Sequence, residues 1–136
     1  MADPASVPRP RWDVLAAVAT GGALGSLARY GLSVALPHSR GQFAVSTFAT
    51  NVSGCLLIGV LMALLTAAGN PHRLLRPFLG VGILGGYTTF STYATDTLDL
   101  VTAGRPFTGL AYASATVAAA LVAVYAGHEI TRAVKK

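Results

Sequence analysis

Charge is scarce in this chain: 11% of its 136 residues are charged, and five of the charged residues are acidic. So small a charged fraction beside 53% apolar side chains excludes an ordinary soluble domain and marks an integral membrane protein. The few acids are also absent from where coupling chemistry would need them. Asp3, Asp13, Asp96, Asp99 and Glu129 all fall near the ends of apolar runs. No carboxylate therefore stands at mid-membrane to couple protons to an expelled drug, which weighs against a small four-helix multidrug-type exporter. Cysteine is nearly missing as well. Cys55 stands alone inside an apolar run, which excludes a disulfide or a cysteine metal cluster within one chain and leaves a small packed residue. His38, His72 and His128 are scattered in loops or at a helix end, the usual setting of solvated imidazoles. With no nucleophile and base at a suggestive spacing, enzyme chemistry has no support. The net charge of +5 does not indicate nucleic acid, because the basic residues flank apolar runs and gather at the two ends.

What remains is four apolar runs, Val14 to Leu36, Phe43 to Gly69, Leu74 to Leu100 and Phe107 to Ala133. Each reaches the roughly 20 residues that a helix needs to cross the hydrocarbon. The pattern predicts an all-α membrane protein with a single four-helix transmembrane domain over residues 14–134. Residues 1–13, with Pro4, Pro8 and Pro10, read as a disordered lead-in. A cleaved signal peptide ranks below this, since Arg29 lies in the first run and three further runs follow. The connections are short and carry turn signals, as in Pro37 to Gly41, Gly69 to Arg73 and Ala103 to Pro106. Successive helices are thus antiparallel and both termini share one side. That side holds Arg9, Arg11, Arg73, Arg76, Arg132, Lys135 and Lys136, against Arg40 and Arg105 on the other. Seven against two predicts a multi-pass protein of the cell membrane with cytoplasmic termini.

Three stretches carry more than apolarity. The first helix has Gly21 and Gly25 four apart, with Gly22 and Ser26 one step round, a small-residue pattern that lets backbones approach closely in lipid. The second has Thr47 and Asn51 at i, i+4 among Thr50, Ser53 and Gly54. An amide at that depth must find partners, so Asn51 faces the bundle, either as an interhelical hydrogen bond or as a ligand. The third stretch, Gly85-Gly86-Tyr87-Thr88-Thr89-Phe90-Ser91-Thr92-Tyr93, puts paired glycines and a cluster of hydroxyls inside a membrane-length segment. Unpaired backbone groups cost several kcal/mol in hydrocarbon, so such a segment must be buried in protein or face a water-filled path. It predicts a third helix broken at Gly85 to Thr89. A non-transporting scaffold would explain the small-residue packing but not this segment. The fourth helix is thin, built largely of alanine from Ala111 to Ala126, and four such helices barely enclose a path, which implies an oligomer.

Together, Gly21 to Tyr30, Thr50-Asn51-Val52-Ser53-Gly54 and Gly85 to Tyr93 resemble the Fluc (CrcB) fluoride channel family in motif order, length and number of spans. The resemblance implies an antiparallel dimer of four-helix subunits, with two fluoride pores and a structural Na⁺ at the central interface, passively exporting cytoplasmic fluoride. It implies pore residues Asn51, Thr89, Phe90, Ser91, Tyr93, Tyr112 and Thr116, and a Na⁺ site on the backbone carbonyls of Gly85 and Thr88. The residue types suit the chemistry. Fluoride is small and strongly hydrated, so a path must replace water with compact donors, and an aromatic ring offers a positive rim. The family has a second phenylalanine where this chain has Tyr93, whose hydroxyl either donates to the ion or obstructs a pore. Core packing is the ordinary reading of both aromatics. The polar track of Tyr112 and Thr116 ends early, because Ala120 follows. Asp96 stands where the family often has glutamate, and either gathers cations and hydrogen-bonds in the vestibule or serves as an end-of-helix charge partner. Arg29 either concentrates anions at a pore mouth or snorkels to the interface.

The lysine and arginine asymmetry also bears on assembly. A subunit that inserted equally both ways would show little bias. The partner is therefore either a second copy in a dual-topology homodimer or an oppositely oriented paralogue, with the departure at Tyr93 compatible with the latter. Membrane lipid and fluoride complete the expected partners, and nucleic acid is not among them.

Overall fold

The computed structural model describes residues 11–135. Most of the expected lead-in lies outside these residues. Its last part does not: Trp12 and Asp13 already form the first turn of α1 (Trp12–Ala35), and Arg73 pairs with Asp13 at 2.5 Å. A carboxylate at a helix N-terminus also meets the positive end of the helix dipole, which favours starting the helix there. α2 follows at Val45–Ala67. A third passage consists of a π-helical segment, Arg76–Leu84, running directly into the single turn α3 (Gly85–Tyr87), and then α4 (Phe90–Thr102). α5 (Pro106–Val134) closes the chain. The described residues thus make four helical passages, as the four apolar runs indicate.

α2 packs chiefly on α5, and α1 on the π-helical segment and α3. Glycine makes both contacts possible. A Cβ at Gly25 would run into the Ile83 carbonyl oxygen, and one at Gly86 into that of Gly22. On the other pair, a Cβ at Gly59 would meet the Val124 oxygen and one at Gly127 the Leu56 oxygen. Backbone meets backbone at each point, which no larger residue permits. The chain reverses through Gly41, Gly69 and Gly104, all at positive φ, in the three connections.

The apolar surface faces outward. Leu27, Val81, Phe107, Leu121, Val122 and Tyr125 are exposed, whereas a small centre of Ala44, Leu100 and Tyr112 is closed to solvent with Phe48 and Tyr93 against it. The same interior holds Ser46, Thr47, Thr50 and Thr116. Polar inside and apolar outside suits a bilayer better than water. By length and composition, α2 and α5 are long and apolar enough to cross one. The third passage is divided into short pieces, and α1 is diluted by four glycines, Thr20, Ser26 and Arg29.

Candidate functional site

Helical geometry lapses at Thr88 and Thr89. Thr88 has ψ 158° and Thr89 has φ −149°, ψ 124°, both extended. The lapse falls at the end of the stretch Gly85 to Thr89 where the sequence puts it, and the structure corrects only its attribution to the paired glycines. Gly85 is helical, at φ −66° and ψ −36°, and Gly86 lies within α3. Gly86 serves the contact with α1 rather than a change of direction, since that contact leaves no room for a side chain.

Two neighbouring helices take up the backbone groups that the lapse releases. In a continuous helix the Thr89 N–H would bond to the Gly85 carbonyl. Instead it donates to Asn51 Oδ1 at 2.8 Å, while Asn51 Nδ2 donates to the Thr89 carbonyl at 2.9 Å. The Gly86 carbonyl, whose helical partner would be the Phe90 N–H, accepts from Arg29 Nε at 3.2 Å and Ser26 Oγ at 3.4 Å. Thr89 also caps α4, its Oγ1 accepting from the Thr92 N–H at 3.2 Å. Of the two readings of Asn51, the interhelical hydrogen bond is what the geometry displays. The amide nitrogen carries two hydrogens and the Thr89 contact uses one. Arg29 is likewise tied to the break through its Nε, and its side chain lines the polar hollow beside it.

Two hollows of about 270 Å³ meet at Thr89. One is polar, lined by Ser26, Arg29, Ser46, Thr47, Thr50 and Thr92 among others. The second is a largely apolar groove formed by Asn51, Thr88, Phe90, Tyr93 and Thr116 with Ala120. Phe90 is 79% exposed and packs against Tyr93, with ring centroids 5.7 Å apart and planes tilted by 44°. Tyr93 turns its hydroxyl away from Phe90 and donates to the Ala113 carbonyl on α5 at 3.2 Å. The ring therefore lines the groove while its polar end is spent on the scaffold.

The remaining expected residues divide. Thr116 is buried and donates to the Tyr112 carbonyl at 2.7 Å, so its hydrogen serves its own helix. Tyr112 is closed to solvent, and its hydroxyl donates to Asp96 Oδ2 at 3.3 Å. Ser91 is exposed, with its Oγ 3.3 Å from Thr89 Oγ1. His38 lies exposed in the α1–α2 connection, as the sequence suggests, and in addition its Nε2 lies 3.4 Å from Asp96 Oδ1. Sequence reasoning also passed over Ser26, Ser46 and Thr92 as lining residues. Their only signal is that each is a hydroxyl within one or two turns of Arg29, Asn51 or Thr89.

Comparison with known proteins adds a line of support independent of this geometry. Residues 16–128 match the family described as CrcB-like protein, Camphor Resistance (CrcB). The chain is 55% identical over 115 residues to a fluoride-specific ion channel FluC 2 of Thermobifida fusca, covering 85% of each. It is 48% identical over 128 residues to a FluC 1 of Streptomyces coelicolor, covering 94% of this chain and 83% of that one. A FluC 2 of Nocardia farcinica is 48% identical over 127 residues, covering 93% and 91%. With most of its length matched in this way, the chain belongs to the CrcB family.

Proposed function

We propose that this protein is a fluoride-selective channel that lets accumulated fluoride leave the cytoplasm down its gradient, a conducting protein rather than an enzyme. The observation that carries the proposal is the interruption at Thr88–Thr89, where a hydroxyl-lined hollow and an aromatic-edged groove share one residue. A compact, strongly hydrated anion needs donors in series across such a path, and Phe90 presents an uncovered ring whose rim is electropositive. The relatives' name, fluoride-specific ion channel, agrees with that chemistry.

The working unit is an antiparallel dimer with two pores, either a dual-topology homodimer or a pair with an oppositely oriented paralogue, in the cell membrane. The breadth of exposed apolar surface and the thin, alanine-rich α5 support an assembly larger than one chain. Gly85 and Thr88 supply the carbonyls for a structural Na⁺. Their fit rests on the break, which diverts the helical partner of Gly85 to Asn51 and turns Thr88 out of the helix. Neutral carbonyl oxygens are the donors a hard monovalent cation accepts, and such a cation would hold two chains together.

Fluoride efflux from liposomes holding the purified protein tests the reading, with chloride efflux as the comparison. Selective fluoride release that Phe90→Ile abolishes is the expected result. Equal release of both ions would defeat it.

A further inference from the structure

Toward the end of the bundle that carries the α1–α2 and α4–α5 connections, a second polar cluster lies further along α4 from the break, and one of its members, Ser46, also lines the polar hollow. Asp96, on α4, is 8% exposed. Its carboxylate is held on Oδ2 by the Tyr112 hydroxyl at 3.3 Å and approached on Oδ1 by His38 Nε2 at 3.4 Å. The other ring nitrogen of His38, Nδ1, is 3.4 Å from Ser46 Oγ at the start of α2. An ionised carboxylate only accepts, so Nε2 carries the hydrogen and Nδ1 of the neutral ring accepts from Ser46. A proton added at Nδ1 reverses the Ser46 bond and gives Asp96 a full cationic partner. Bulk water can deliver that proton, because the His38 side chain is about a quarter exposed, at 26%.

The cluster also reaches the groove. The Tyr112 ring packs 5.8 Å from that of Tyr93, which lines the groove beside Phe90. Other charged or titratable groups stand around the pair. They are Arg40 in His38's own connection, Asp99 further along α4, Tyr93 and Tyr112, and Arg105, whose Nη1 donates to the Gly41 carbonyl at 3.2 Å. Of these side-chain types only imidazole ordinarily exchanges its proton between pH 5 and 8.

We propose that His38 is a positioning residue that makes anion conduction rise as pH falls, by cancelling the charge of Asp96 behind the Tyr112 and Tyr93 rings. The inference rests on the fluoride-channel reading. With the ring neutral, Asp96 adds one negative charge to the field near the path, beside the fixed charges of Arg40, Asp99 and Arg105, and disfavours the ion. With the ring charged, the pair is neutral and the repulsion falls away.

The test is fluoride efflux from liposomes buffered to the same pH inside and out, from pH 8 to 5.5, with protein-free vesicles subtracted. Wild type is expected to conduct about 1.5- to twofold faster at the acid end, the size of one screened unit charge set back behind two rings from an aqueous path. His38→Gln keeps a donor toward Asp96 but cannot titrate, and its rate is expected to be flat. Asp96→Asn removes the repelling charge and is expected to release fluoride faster than wild type at pH 8, and His38→Asn, which cannot titrate either, decides the matter if His38→Gln fails to fold. A pH-independent wild type that still releases fluoride overturns this inference and leaves the channel reading standing. An undiminished pH slope in a folded His38 variant overturns it too, by placing the dependence elsewhere. No fluoride release from wild type at any pH overturns the channel reading and this inference together.

Discussion

Replacing Gly25 by alanine adds one methyl group at the tightest point between α1 and the third passage. That Cβ would overlap the Ile83 carbonyl oxygen and lie 2.8 Å from the Tyr87 nitrogen and 2.9 Å from the Ile83 carbonyl carbon. All three are backbone atoms, so no side-chain rotation relieves the contact and α1 itself must back away. Overpacking of this kind typically costs ~1–3 kcal/mol. Alanine recovers about 0.5–1 kcal/mol through its better helix propensity, so the net expectation is a loss of roughly 1–2 kcal/mol. The displacement also draws Ser26 and Arg29 away from the Gly86 carbonyl, so fluoride flux should fall with stability. The matched control is Gly31→Ala on the same helix, where among the described residues nothing beyond the helix's own backbone and the two chain neighbours lies within 4 Å of the added carbon. It is expected to be neutral or slightly stabilising. Thermal unfolding in detergent, followed by loss of the monodisperse elution peak, compares the two with wild type. If Gly25→Ala and Gly31→Ala melt together, the argument from backbone contact is wrong.

Asn51→Asp keeps an acceptor for the Thr89 N–H but removes the donor to its carbonyl. Leaving a part-buried acceptor unmet costs about 1–3 kcal/mol, and both melting temperature and fluoride efflux should drop. Tyr93→Phe deletes only the bond to Ala113, worth about 0.5–1.5 kcal/mol. Fluoride flux is expected to persist in this variant, and its abolition would show that the hydroxyl contacts the ion after all. Arg73→Gln breaks the half-exposed pair with Asp13 and should lower stability by at most about 1 kcal/mol, read in the same melting assay, with efflux unchanged.

Local spacing carried the parts of the architecture that were legible beforehand. Gly21 and Gly25 sit four apart on one helix face, and helical periodicity alone brings them to a common contact. The connections announced themselves through Gly41, Gly69 and Gly104, whose positive φ few other residues adopt. Reading failed where partners lie far apart in sequence. Asn51 was legible as a polar group needing satisfaction, but nothing local says that both its bonds go to Thr89, 38 residues away. His38 and Asp96 are separated by still more chain, and only the packing of α2, α4 and α5 brings them together. Two adjacent glycines are the obvious flexible point, yet both are helical, Gly86 against Gly22 of α1, and the chain yields at Thr88 and Thr89, where Asn51 pairs with the freed groups.

The π-helical stretch that precedes the break sets an angle. Its hydrogen bonds reach one residue further than in an α-helix, as where the Gly85 N–H donates to the Gly80 carbonyl. Each residue therefore turns through a smaller arc about the axis, and the difference accumulates over the nine residues from Arg76 to Leu84. That accumulated difference is the phase at which Thr88 and Thr89 emerge, facing Asn51 on one side while Gly86 faces α1 on the other. The width of a helix thus acts here as a vernier. Removing a single residue between Arg76 and Leu84 would leave every side chain of the break intact and aim them all in the wrong direction.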